Sequence, residues 1–381
     1  MIYRQLGRTG LNVSRLGFGA MRLPMIGQGK DARVDDAKAQ DLMHHAFGMG
    51  VNYLDTAIFY CNNDSQRAVG VALKAWRQSP HGPAHPIIVS TKNHYKETDE
   101  RTWWANLEQS LELLGLAKID VYNVHGINQK VWAEVIQPHT SKWLIKARDQ
   151  GLIGHICTSF HDNNLGLRTI VASGLFAAIT LQYNMLDRQL EDGIAHAHAN
   201  GVGVTVMGPL AGGRLGGDNE ALKAQAAGSQ NVSELALRFV LSNPAVTLAI
   251  SGMQSKAIIE ANAAIASDES AMTAGQRQGV VEHLGRLKEL ADLYCTGCGY
   301  CAGCPQKVRI GRIFRTFNLA RVYGLWEWAR KDYRSIIGDV WDKEANDASG
   351  CNQCGQCEEK CPQKLPIRKQ LAEAHKALTG V

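Results

Sequence analysis

Eight short apolar runs, rich in β-branched residues, alternate with stretches of helical length between residues 14 and 252. The runs cover residues 14–20, 51–57, 87–92, 119–126, 153–160, 177–184, 203–210 and 247–252. Apolar strands separated by helical crossovers are typical of parallel sheets that are buried on both faces. Eight such units in about 250 residues predict an α/β fold, a (β/α)8 TIM barrel. A doubly wound open sheet is the alternative, but residues 17–21 lack the glycine-rich fingerprint that follows the first strand of such sheets.

Polar residues lie at the ends of the second, third and fourth predicted strands, where a parallel barrel carries its functional groups. Asp55 ends the second strand and Tyr60 follows it, Lys92 ends the third strand, and His125 lies at the end of the fourth. Together these side chains suit the reduction of a carbonyl. The tyrosine donates a proton, the lysine lowers the pKa of the tyrosine, the aspartate orients the lysine, and the histidine binds the carbonyl oxygen. Singly, each residue fits packing or capping equally well, so the prediction depends on all four sharing one barrel mouth.

Several segments resemble the aldo-keto reductases over roughly residues 1–290. They are YRQLGRTGLNVSRLGFGAMRLP near the start, VNYLDTAIFY around Asp55 and Tyr60, VSTK at Lys92, IDVYNVHG at His125, and then LQYN, GPLAGGRL and LRFVLSNPAVTLAISGM. The resemblance implies an NADP- or NAD-dependent oxidoreductase that interconverts an aldehyde or ketone and an alcohol, with Tyr60 as general acid and base.

The resemblance also implies a nicotinamide nucleotide that lies across the barrel mouth without a Rossmann domain. The residues at the family's cofactor-binding positions are Gly19, Ala20, Met21, Asp55, Ser159, Gln182, Met207, Leu210, Gly212, Gly213, Ser251, Gly252, Met253, Ser255 and Asn262. Among them, Ser159 and Gln182 match positions that hold the carboxamide. Gly212 and Gly213 match the loop over the pyrophosphate, where backbone N–H groups can face phosphate oxygens.

The chain departs from the family pattern at two positions that bear on the nucleotide. Met207 stands where an aromatic residue commonly stacks on the nicotinamide, and Ile258 stands where an arginine usually meets the 2′-phosphate. Lys256 lies nearby and can substitute for that arginine, so the sequence leaves the choice between NADP and NAD open. Cys61, beside Tyr60, is interpreted as a packing residue.

Eight of the ten cysteines form two runs after residue 290. The runs are Cys295-x2-Cys298-x2-Cys301-x2-Cys304-Pro305 and Cys351-x2-Cys354-x2-Cys357-x3-Cys361-Pro362. Three cysteines at this spacing, with a Cys-Pro ending, indicate [4Fe-4S] ligands of the ferredoxin kind, in which the fourth cysteine binds the other cluster. Zinc and disulfides are the alternatives, but four ligands suffice for zinc, and disulfides need an oxidising compartment.

The runs leave the number of clusters open at one or two. In an interleaved arrangement, the ligand sets are Cys295, Cys298, Cys301 with Cys361, and Cys351, Cys354, Cys357 with Cys304. Cys304 is the weakest member, because the gap before it has two residues where the ferredoxin pattern has three. The tail resembles the extension of a subgroup of aldo-keto reductases with a ferredoxin-like C-terminus. We therefore expect a barrel domain at residues 1–290 and a mainly helical iron–sulfur domain at residues 291–381.

Charge and hydropathy argue against two classes of partner. The formal net charge is +5, but thiolate-bound clusters are negative and offset most of it, so nucleic acid is not expected. Residues 307–334 carry eight Lys and Arg against two acidic residues, which can coat a helix or dock an acidic electron-carrier protein. The longest apolar stretch is too short to span a bilayer, and the first residues lack a secretory pattern. We expect a cytoplasmic protein with a small-molecule carbonyl or alcohol substrate and no membrane partner.

A second function competes with carbonyl reduction. The chain can be an electron-transfer or redox-sensing iron–sulfur protein that uses the barrel as a docking or regulatory platform. Hydride carries two electrons whereas each cluster normally passes one, and the sequence has no clear flavin motif to couple them. A third interpretation makes the clusters structural, because a metal can fold a small domain that is poor in apolar residues.

Overall fold

The computed structural model describes the chain except for residues 95–97, 214, 217–221, 223–227, 270–271, 290–294, 296–300, 340–341, 362–364 and 381. The chain forms two compact units: the barrel unit, Met1–Leu215 with Ser233–Arg277, and the cysteine unit, Gly216–Val232 with Gln278–Val381. The predicted domain boundary at residue 290 stays a prediction, because it falls on residues outside the described part. None of the described helices is long and apolar enough to cross a bilayer.

The barrel unit contains a closed barrel of eight parallel strands, as the alternating apolar runs predict. The strands of this unit are β1 (Tyr3–Gln5), β2 (Asn12–Ser14), β3 (Leu16–Gly19), β4 (Met25–Ile26), β5 (Arg33–Val34), β6 (Tyr53–Asp55), β7 (Ile88–Asn93), β8 (Ile119–Ile127), β9 (Ile153–Phe160), β10 (Ala178–Gln182), β11 (Gly203–Met207) and β12 (Leu248–Ser251). The barrel order is β3-β6-β7-β8-β9-β10-β11-β12, and β12 closes on β3. Each predicted run contains one barrel strand, so the TIM-barrel prediction is confirmed and the open sheet is wrong.

Helices follow the strands along the chain. They are α1 (Asp36–Gly48), α2 (Ser65–Gln78), α3 (Glu100–Leu114), α4 (Gln129–Val131), α5 (Ser141–Asp149), α6 (Asn164–Ala172), α7 (Glu191–Ala199), α8 (Val232–Leu241), α9 (Lys256–Ala266) and α10 (Ala274–Glu289). A π-helix, Trp132–Thr140, joins α4 to α5. Short 3-10 turns occur at Gly7–Thr9, Ala20–Arg22, Gly29–Asp31, Gly82–Ala84 and Ala211–Gly213.

Helix α3 illustrates how local sequence determines an element. Asp99 caps its start, because the carboxylate accepts hydrogen bonds from main-chain N–H groups, including that of Thr102 at 3.2 Å. Leu107 and Leu114, two turns apart on one helix face, are fully buried. Gly115 ends the helix in the left-handed conformation with φ 61°, which glycine adopts without steric cost.

The β1–β2 hairpin closes the N-terminal end of the barrel. Leu6 and Val13 are fully buried in a cluster with strand residues that include Tyr53 and Leu248. Gly7 has φ +52°, and a Cβ atom there would lie 2.2 Å from the main-chain nitrogen of Gly203. Only glycine therefore fits this closure, and the opposite, C-terminal end of the barrel is left for a site.

The cysteine unit is mainly helical, as predicted. Its helices after the first cysteine run are α11 (Ile310–Tyr323), α12 (Trp326–Arg334), α13 (Gln356–Glu359) and α14 (Ile367–Thr379), with a 3-10 turn at Ala348–Gly350. Phe314 and Leu371 lie in its buried core together with Tyr333. The Tyr333 hydroxyl bonds the Nδ1 atom of His375 at 2.6 Å and accepts from the main-chain N–H of Ala348 at 3.0 Å. A compact apolar core thus holds together the elements that carry the cysteines.

Candidate active site

Three of the four predicted catalytic side chains form a hydrogen-bonded group at the C-terminal end of the barrel. Lys92 Nζ donates to Asp55 Oδ2 at 2.6 Å, to the Thr56 carbonyl at 2.9 Å and to the Tyr60 hydroxyl at 3.2 Å. The exposed fraction is 2% for Lys92 and 4% for Asp55. The ammonium group therefore has three protein acceptors in a site from which water is largely excluded.

A further pair of polar side chains orients the Asp55 carboxylate. Ser90, which lies beside Asp55 in the β6–β7 register, donates to Asp55 Oδ1 at 2.9 Å. Asn123 on β8 donates to the Ser90 hydroxyl at 3.0 Å. Both carboxylate oxygens of Asp55 are thus occupied by donors from β7. Sequence reasoning missed this support, although Ser90 could have been found from its spacing of two residues from Lys92, which places both on one strand face.

The electrostatics keep Lys92 charged and Tyr60 protonated. Burial lowers the pKa of Lys92, but the charges and hydrogen bonds of Asp55 and Tyr60 outweigh it and raise this pKa above its ordinary value. Burial also raises the pKa of Tyr60 above 10.0, although Lys92 acts in the opposite direction. Lys92 thus lowers the Tyr60 pKa, as expected from the sequence, but it does not set the net shift. The lysine does favour the tyrosinate, but desolvation of the phenol is the larger effect.

His125 lies near Tyr60 because of an irregularity in β8. The pairing of β8 with β9 shifts register between Val124 and Ile127, and Gly126 within this segment has φ 69°. Such bulges are frequent beside active sites, where they redirect a side chain. The ring centroids of His125 and Tyr60 are 6.2 Å apart, with the ring planes at 85°. All four predicted residues therefore share one barrel mouth.

The loop that carries Tyr60 continues through an unusual backbone segment. Cys61, Asn62 and Asn63 have φ values of 53°, 56° and 67°, in the left-handed region that non-glycine residues rarely occupy. The Asn62 amide donates to the Gly29 and Ala32 carbonyls, both at 3.1 Å. These bonds fasten the β4–β5 hairpin to the turn beside Tyr60, a connection that the sequence did not reveal.

Cys61 packs within this turn, as expected. Its Sγ atom lies 3.5 Å from the carbonyl oxygens of Ala20 and Met21, and burial raises the pKa of the thiol. A thiol with a raised pKa forms little of the reactive thiolate at neutral pH.

The residues predicted to bind a nucleotide gather at the same end of the barrel, because they lie at or beyond the C-terminal ends of parallel strands. Five of them lie at strand ends: β3 ends at Gly19, β10 at Gln182, β11 at Met207 and β12 at Ser251, and the penultimate residue of β9 is Ser159. The others lie in the segments that follow a strand. These are Ala20 and Met21 after β3, Leu210, Gly212 and Gly213 after β11, and Gly252, Met253, Ser255 and Asn262 after β12. Ser159 Oγ accepts from the Gly126 N–H at 2.6 Å, and Asn262 donates to Ser251 Oγ at 3.2 Å. Their roles toward a nucleotide stay predictions.

The turn after β11 has three consecutive residues with positive φ. Ala211, Gly212 and Gly213 have φ values of 51°, 70° and 97°. Successive residues in turn conformations can direct neighbouring N–H groups to one side and form a concave nest for phosphate oxygens. A Cβ atom on Gly212 would meet no heavy atom within 4 Å, so the backbone here faces open space. The N–H groups of Ala211 and Gly213 donate to the Gly208 and Leu210 carbonyls, both at 2.9 Å, so the role of this loop toward a pyrophosphate stays a prediction.

The cysteine unit brings most of its described cysteines to one pocket. The pocket is lined by Cys301, Cys304, Cys351, Cys354 and Cys357, with Pro305, Val308, Ile310 and Leu371 among the apolar contacts. Cys304 thus lies with the second run, but so does Cys301, which the interleaved set assigns to the other cluster, so the ligand sets stay a prediction. Cys295 packs against the core of the unit and Cys361 is buried within it, whereas Cys298 lies outside the described residues.

The donor set of this pocket fits an iron–sulfur cube. Within the described part of the chain, no three His, Cys, Asp or Glu side chains converge closely enough to ligate a single metal ion. A [4Fe-4S] cube does not require such convergence, because each of its four cysteines binds a different iron atom. The pocket has five cysteines along its lining, and four thiolates are what one such cube needs.

The basic segment 307–334 is partly neutralised inside the cysteine unit. Arg309 forms an ion pair with Asp342, and Arg312 contacts Asp332 at 3.1 Å and Asp339 at 2.5 Å. These arginines therefore pair acidic residues of their own unit, which reduces the charge available for docking an acidic partner. The electron-carrier prediction remains a prediction.

Comparisons with known proteins address both parts of the chain. A model of the Aldo/keto reductase family matches residues 15–274, and a model of a 4Fe-4S dicluster domain matches residues 292–365. An L-galactose dehydrogenase of Arabidopsis thaliana is 29% identical over 290 residues, which cover 70% of this chain and 88% of the plant protein. The solved holo form of an aldo-keto reductase from Bacillus halodurans is 28% identical with a TM-score of 0.62, and the match covers 74% of this chain and 96% of that one.

Proposed function

Because the chain belongs to the aldo/keto reductase family and carries a 4Fe-4S domain after its barrel, we propose that the barrel interconverts an aldehyde or ketone and the corresponding alcohol. The observation that carries this proposal is the contact of Lys92 Nζ with both Asp55 and the Tyr60 hydroxyl at the barrel mouth. This geometry supports proton transfer by Tyr60 to an oxygen that becomes negative during reduction.

Each of the four side chains has a separate task in this proposal. Tyr60 gives its proton to the alkoxide oxygen in reduction and accepts it back in oxidation. Lys92 stabilises the tyrosinate that reduction leaves behind, since its ammonium group already bonds the phenol oxygen. Asp55 keeps that ammonium charged and directed. His125, on the neighbouring strand, is suited to hydrogen-bond the carbonyl oxygen and fix its approach to Tyr60.

A nicotinamide nucleotide, NADP or NAD, would supply hydride to the carbonyl carbon or take it from the alcohol. Ser159 and Gln182 are proposed to hold its carboxamide, and the turn Ala211–Gly213 its pyrophosphate. The preference between the two nucleotides depends on Lys256, the proposed substitute for a 2′-phosphate arginine. Lys256 Nζ contacts Asp41 Oδ1 at 2.8 Å, and this contact competes with a phosphate for the ammonium group.

The activity is tested with Tyr60→Phe, assayed against aromatic and aliphatic aldehydes and ketones with NADPH and NADH, and against sugars and sugar alcohols with NADP⁺ and NAD⁺. Sugars belong in the panel because the matched plant protein is named an L-galactose dehydrogenase. Loss of general acid catalysis should lower kcat by about 10²–10⁴-fold. Tyr3→Phe is the matched control, because Tyr3 in β1 is exposed and its hydroxyl donates to the Gly50 carbonyl, away from the barrel mouth. A Tyr60→Phe enzyme within twofold of wild type would contradict the mechanism, and a wild type that turns over no member of the panel would contradict the function.

For the cysteine unit, we propose that Cys351, Cys354 and Cys357 with Cys304 bind one [4Fe-4S] cluster. Cys295, Cys298 and Cys301 with Cys361 are proposed to bind a second. The pocket that joins Cys304 to the second run supports the first ligand set. An anaerobic iron and sulfide count with visible and EPR spectra tests both. About eight irons are expected for two cubes, and a Cys304→Ser chain that keeps all of them would contradict the role of Cys304.

Electron transfer is the second candidate function, favoured by the exposure of Cys354. A cluster with an exposed ligand lies close enough to solvent to exchange single electrons with a carrier. Anaerobic mixing with NADPH distinguishes the two functions. Clusters that become reduced, as seen by EPR, support a relay between nicotinamide and iron, whereas clusters that stay oxidised during carbonyl turnover contradict it.

A further inference from the structure

One charged side chain outside the cysteine runs lies against the cysteine pocket. Arg368, near the start of α14, is among the residues that line the pocket together with Cys304, Cys351, Cys354 and Cys357. Its guanidinium also covers Gly355, because a Cβ atom built there would lie 3.8 Å from Arg368 Cζ. A permanent positive charge thus borders the sulfur atoms that are proposed to bind a cluster.

The same side chain fastens the loop between two proposed ligands. Arg368 Nη1 donates to the Gln353 carbonyl at 3.3 Å, and Arg368 Nε donates to Glu358 Oε2 at 2.9 Å. Gln353 and Gly355, on either side of Cys354, have φ values of 63° and 79°. Backbone in this region is costly for a non-glycine residue such as Gln353 unless neighbouring groups hold it. Arg368 is therefore placed to hold the loop in the conformation that presents Cys354 and Cys357.

Glu358 fixes Arg368 from the other side. Its Oε1 atom accepts from the Arg368 main-chain N–H at 2.8 Å, so it caps the first turn of α14. Pro366, at the N-cap position of that helix, provides no side-chain cap. Because Glu358 follows Cys357 directly in sequence, this cap links the start of α14 to the proposed ligand run.

We propose that Arg368 is a functional part of this cluster site, where it holds the Cys354–Cys357 loop and raises the reduction potential of the cluster bound by Cys304, Cys351, Cys354 and Cys357. The inference rests on that proposed ligand set. A four-thiolate cluster carries net negative charge, and one-electron reduction adds to it. A nearby cation stabilises the reduced form more than the oxidised form. Glu358 opposes this effect, and Lys360, which also lines the pocket, adds to it, so the potential reflects the balance of the three charges.

The test is an EPR-monitored redox titration of the full chain, reconstituted anaerobically and reduced stepwise with dithionite, which supplies one electron to each cube. Arg368→Gln should lower the midpoint potential of one cluster and leave that of the other unchanged. Arg368→Lys, which keeps the positive charge but loses the planar guanidinium group, should lower this midpoint potential less. Glu358→Gln should raise it, because the amide retains a cap acceptor without the negative charge. Lys369→Gln is the matched control, since Lys369 is an exposed neighbour whose ammonium contacts Glu373.

Salt supplies a second readout. Arg368 is partly exposed, so the shift caused by Arg368→Gln should shrink at high ionic strength, whereas a shift caused by a distorted loop should not. An Arg368→Gln chain with a full iron count and a wild-type midpoint overturns the proposal, as does an equal shift of both clusters. If Arg368→Gln loses iron, the charge effect is tested with Glu358→Gln instead. A midpoint potential of the Glu358→Gln cluster that is unchanged or lower than wild type overturns the charge effect.

The outcome is separable from that of the carbonyl function. None of these substitutions lies in the barrel unit, so carbonyl reduction dependent on Tyr60 is measured on the same variants as an independent property. If Cys354→Ser, made in an otherwise wild-type chain, removes no iron, the ligand set and this proposal are both overturned. That result does not depend on the activity of the barrel.

Discussion

The barrel unit and the cysteine unit organise their functional side chains in opposite ways. In the barrel, Asp55 and Lys92 are almost completely buried on adjacent parallel strands, and hydrogen bonds occupy their polar atoms. In the cysteine unit, residues 351–355 have no regular secondary structure, and Cys354 is exposed. The barrel site is therefore held by strand register and protein hydrogen bonds alone. The cysteine site consists of loops that are held by a few hydrogen bonds, such as those of Arg368, and we expect the group that the thiolates bind to stabilise them further.

The largest expected effect tests the dependence of the cysteine unit on its cluster. Cys357→Ser should remove roughly half of the iron bound by a two-cluster chain and should lower the melting temperature of the cysteine unit, because metal binding contributes folding free energy. Calorimetry and iron analysis on the same sample measure both. Cys61→Ser, a cysteine outside the runs, is the control and should change neither. If the melting temperature of the barrel unit falls together with that of the cysteine unit, the contrast between the two units is contradicted.

The next effect tests the pre-formed barrel site. Lys92→Met should cost about 3–5 kcal/mol in the free energy of unfolding, because it leaves the buried Asp55 carboxylate without its cation. It should also abolish most carbonyl reduction. Lys38→Met, at an exposed pair with Asp35, should cost at most about 1 kcal/mol. Urea unfolding measures both. The double variant Asp55→Asn with Lys92→Met should regain stability without activity, and a double variant less stable than Lys92→Met would refute the explanation.

The pH dependence of the barrel follows from the raised pKa of Tyr60. Reduction needs the protonated phenol, so the rate should hold through pH 10 and fall only when pH rises through the folded pKa, which lies above 10.0. The same shift stabilises the fold fully below the unfolded pKa of 10.0, and this contribution is lost as pH rises through the higher folded pKa. A pH–rate profile for one aldehyde substrate checks the prediction. A decline centred near pH 8 would mean that Lys92 outweighs burial after all.

A smaller effect concerns the turn beside Tyr60, a part of the barrel mouth whose backbone, like that of the cysteine loops, has positive φ values at non-glycine residues. Asn62→Ala loses both hydrogen bonds to the β4–β5 hairpin and keeps a φ of 56°, so it should cost about 1–2 kcal/mol. Asn62→Gly loses the same bonds but removes the Cβ clash, so it should cost less. Urea unfolding and kcat for both variants provide the measurement. Equal losses for alanine and glycine would show that backbone strain has no part in the effect.

The smallest effect is expected at the exposed pair of Asp41 and Lys256. Asp41→Asn should free the Lys256 ammonium and shift kcat/KM toward NADPH by a few-fold, since an exposed ion pair contributes at most about 1 kcal/mol. Lys256→Gln should shift it toward NADH. Comparison of the two nucleotides under one set of conditions gives the ratio. If both variants keep the wild-type ratio, Lys256 does not contact the 2′-phosphate.

The elements that sequence predicted well are those with a repeating local pattern. Each of the eight apolar runs contains a barrel strand, because a buried parallel strand needs a continuous apolar segment. The convergence of Asp55, Tyr60, Lys92 and His125 followed from the same pattern, since residues at the ends of parallel strands meet at one mouth. The sequence indicated the direction in which Lys92 acts on the Tyr60 pKa, but not the larger effect of burial, because sequence does not show how far a phenol is removed from water.

By itself, the sequence determined the barrel, the identity of its polar mouth residues and the chemistry of the cysteine runs, because strand periodicity and cysteine spacing are properties of neighbouring residues. Only the tertiary structure decided what supports them. It placed Asn123 against Ser90, which bonds Asp55, joined Asn62 to the β4–β5 hairpin, and placed Arg368 over the loop of Cys354. These contacts join residues that are distant in sequence or that lie in left-handed backbone. They depend on packing distances and main-chain conformation, which no local pattern of residue types specifies.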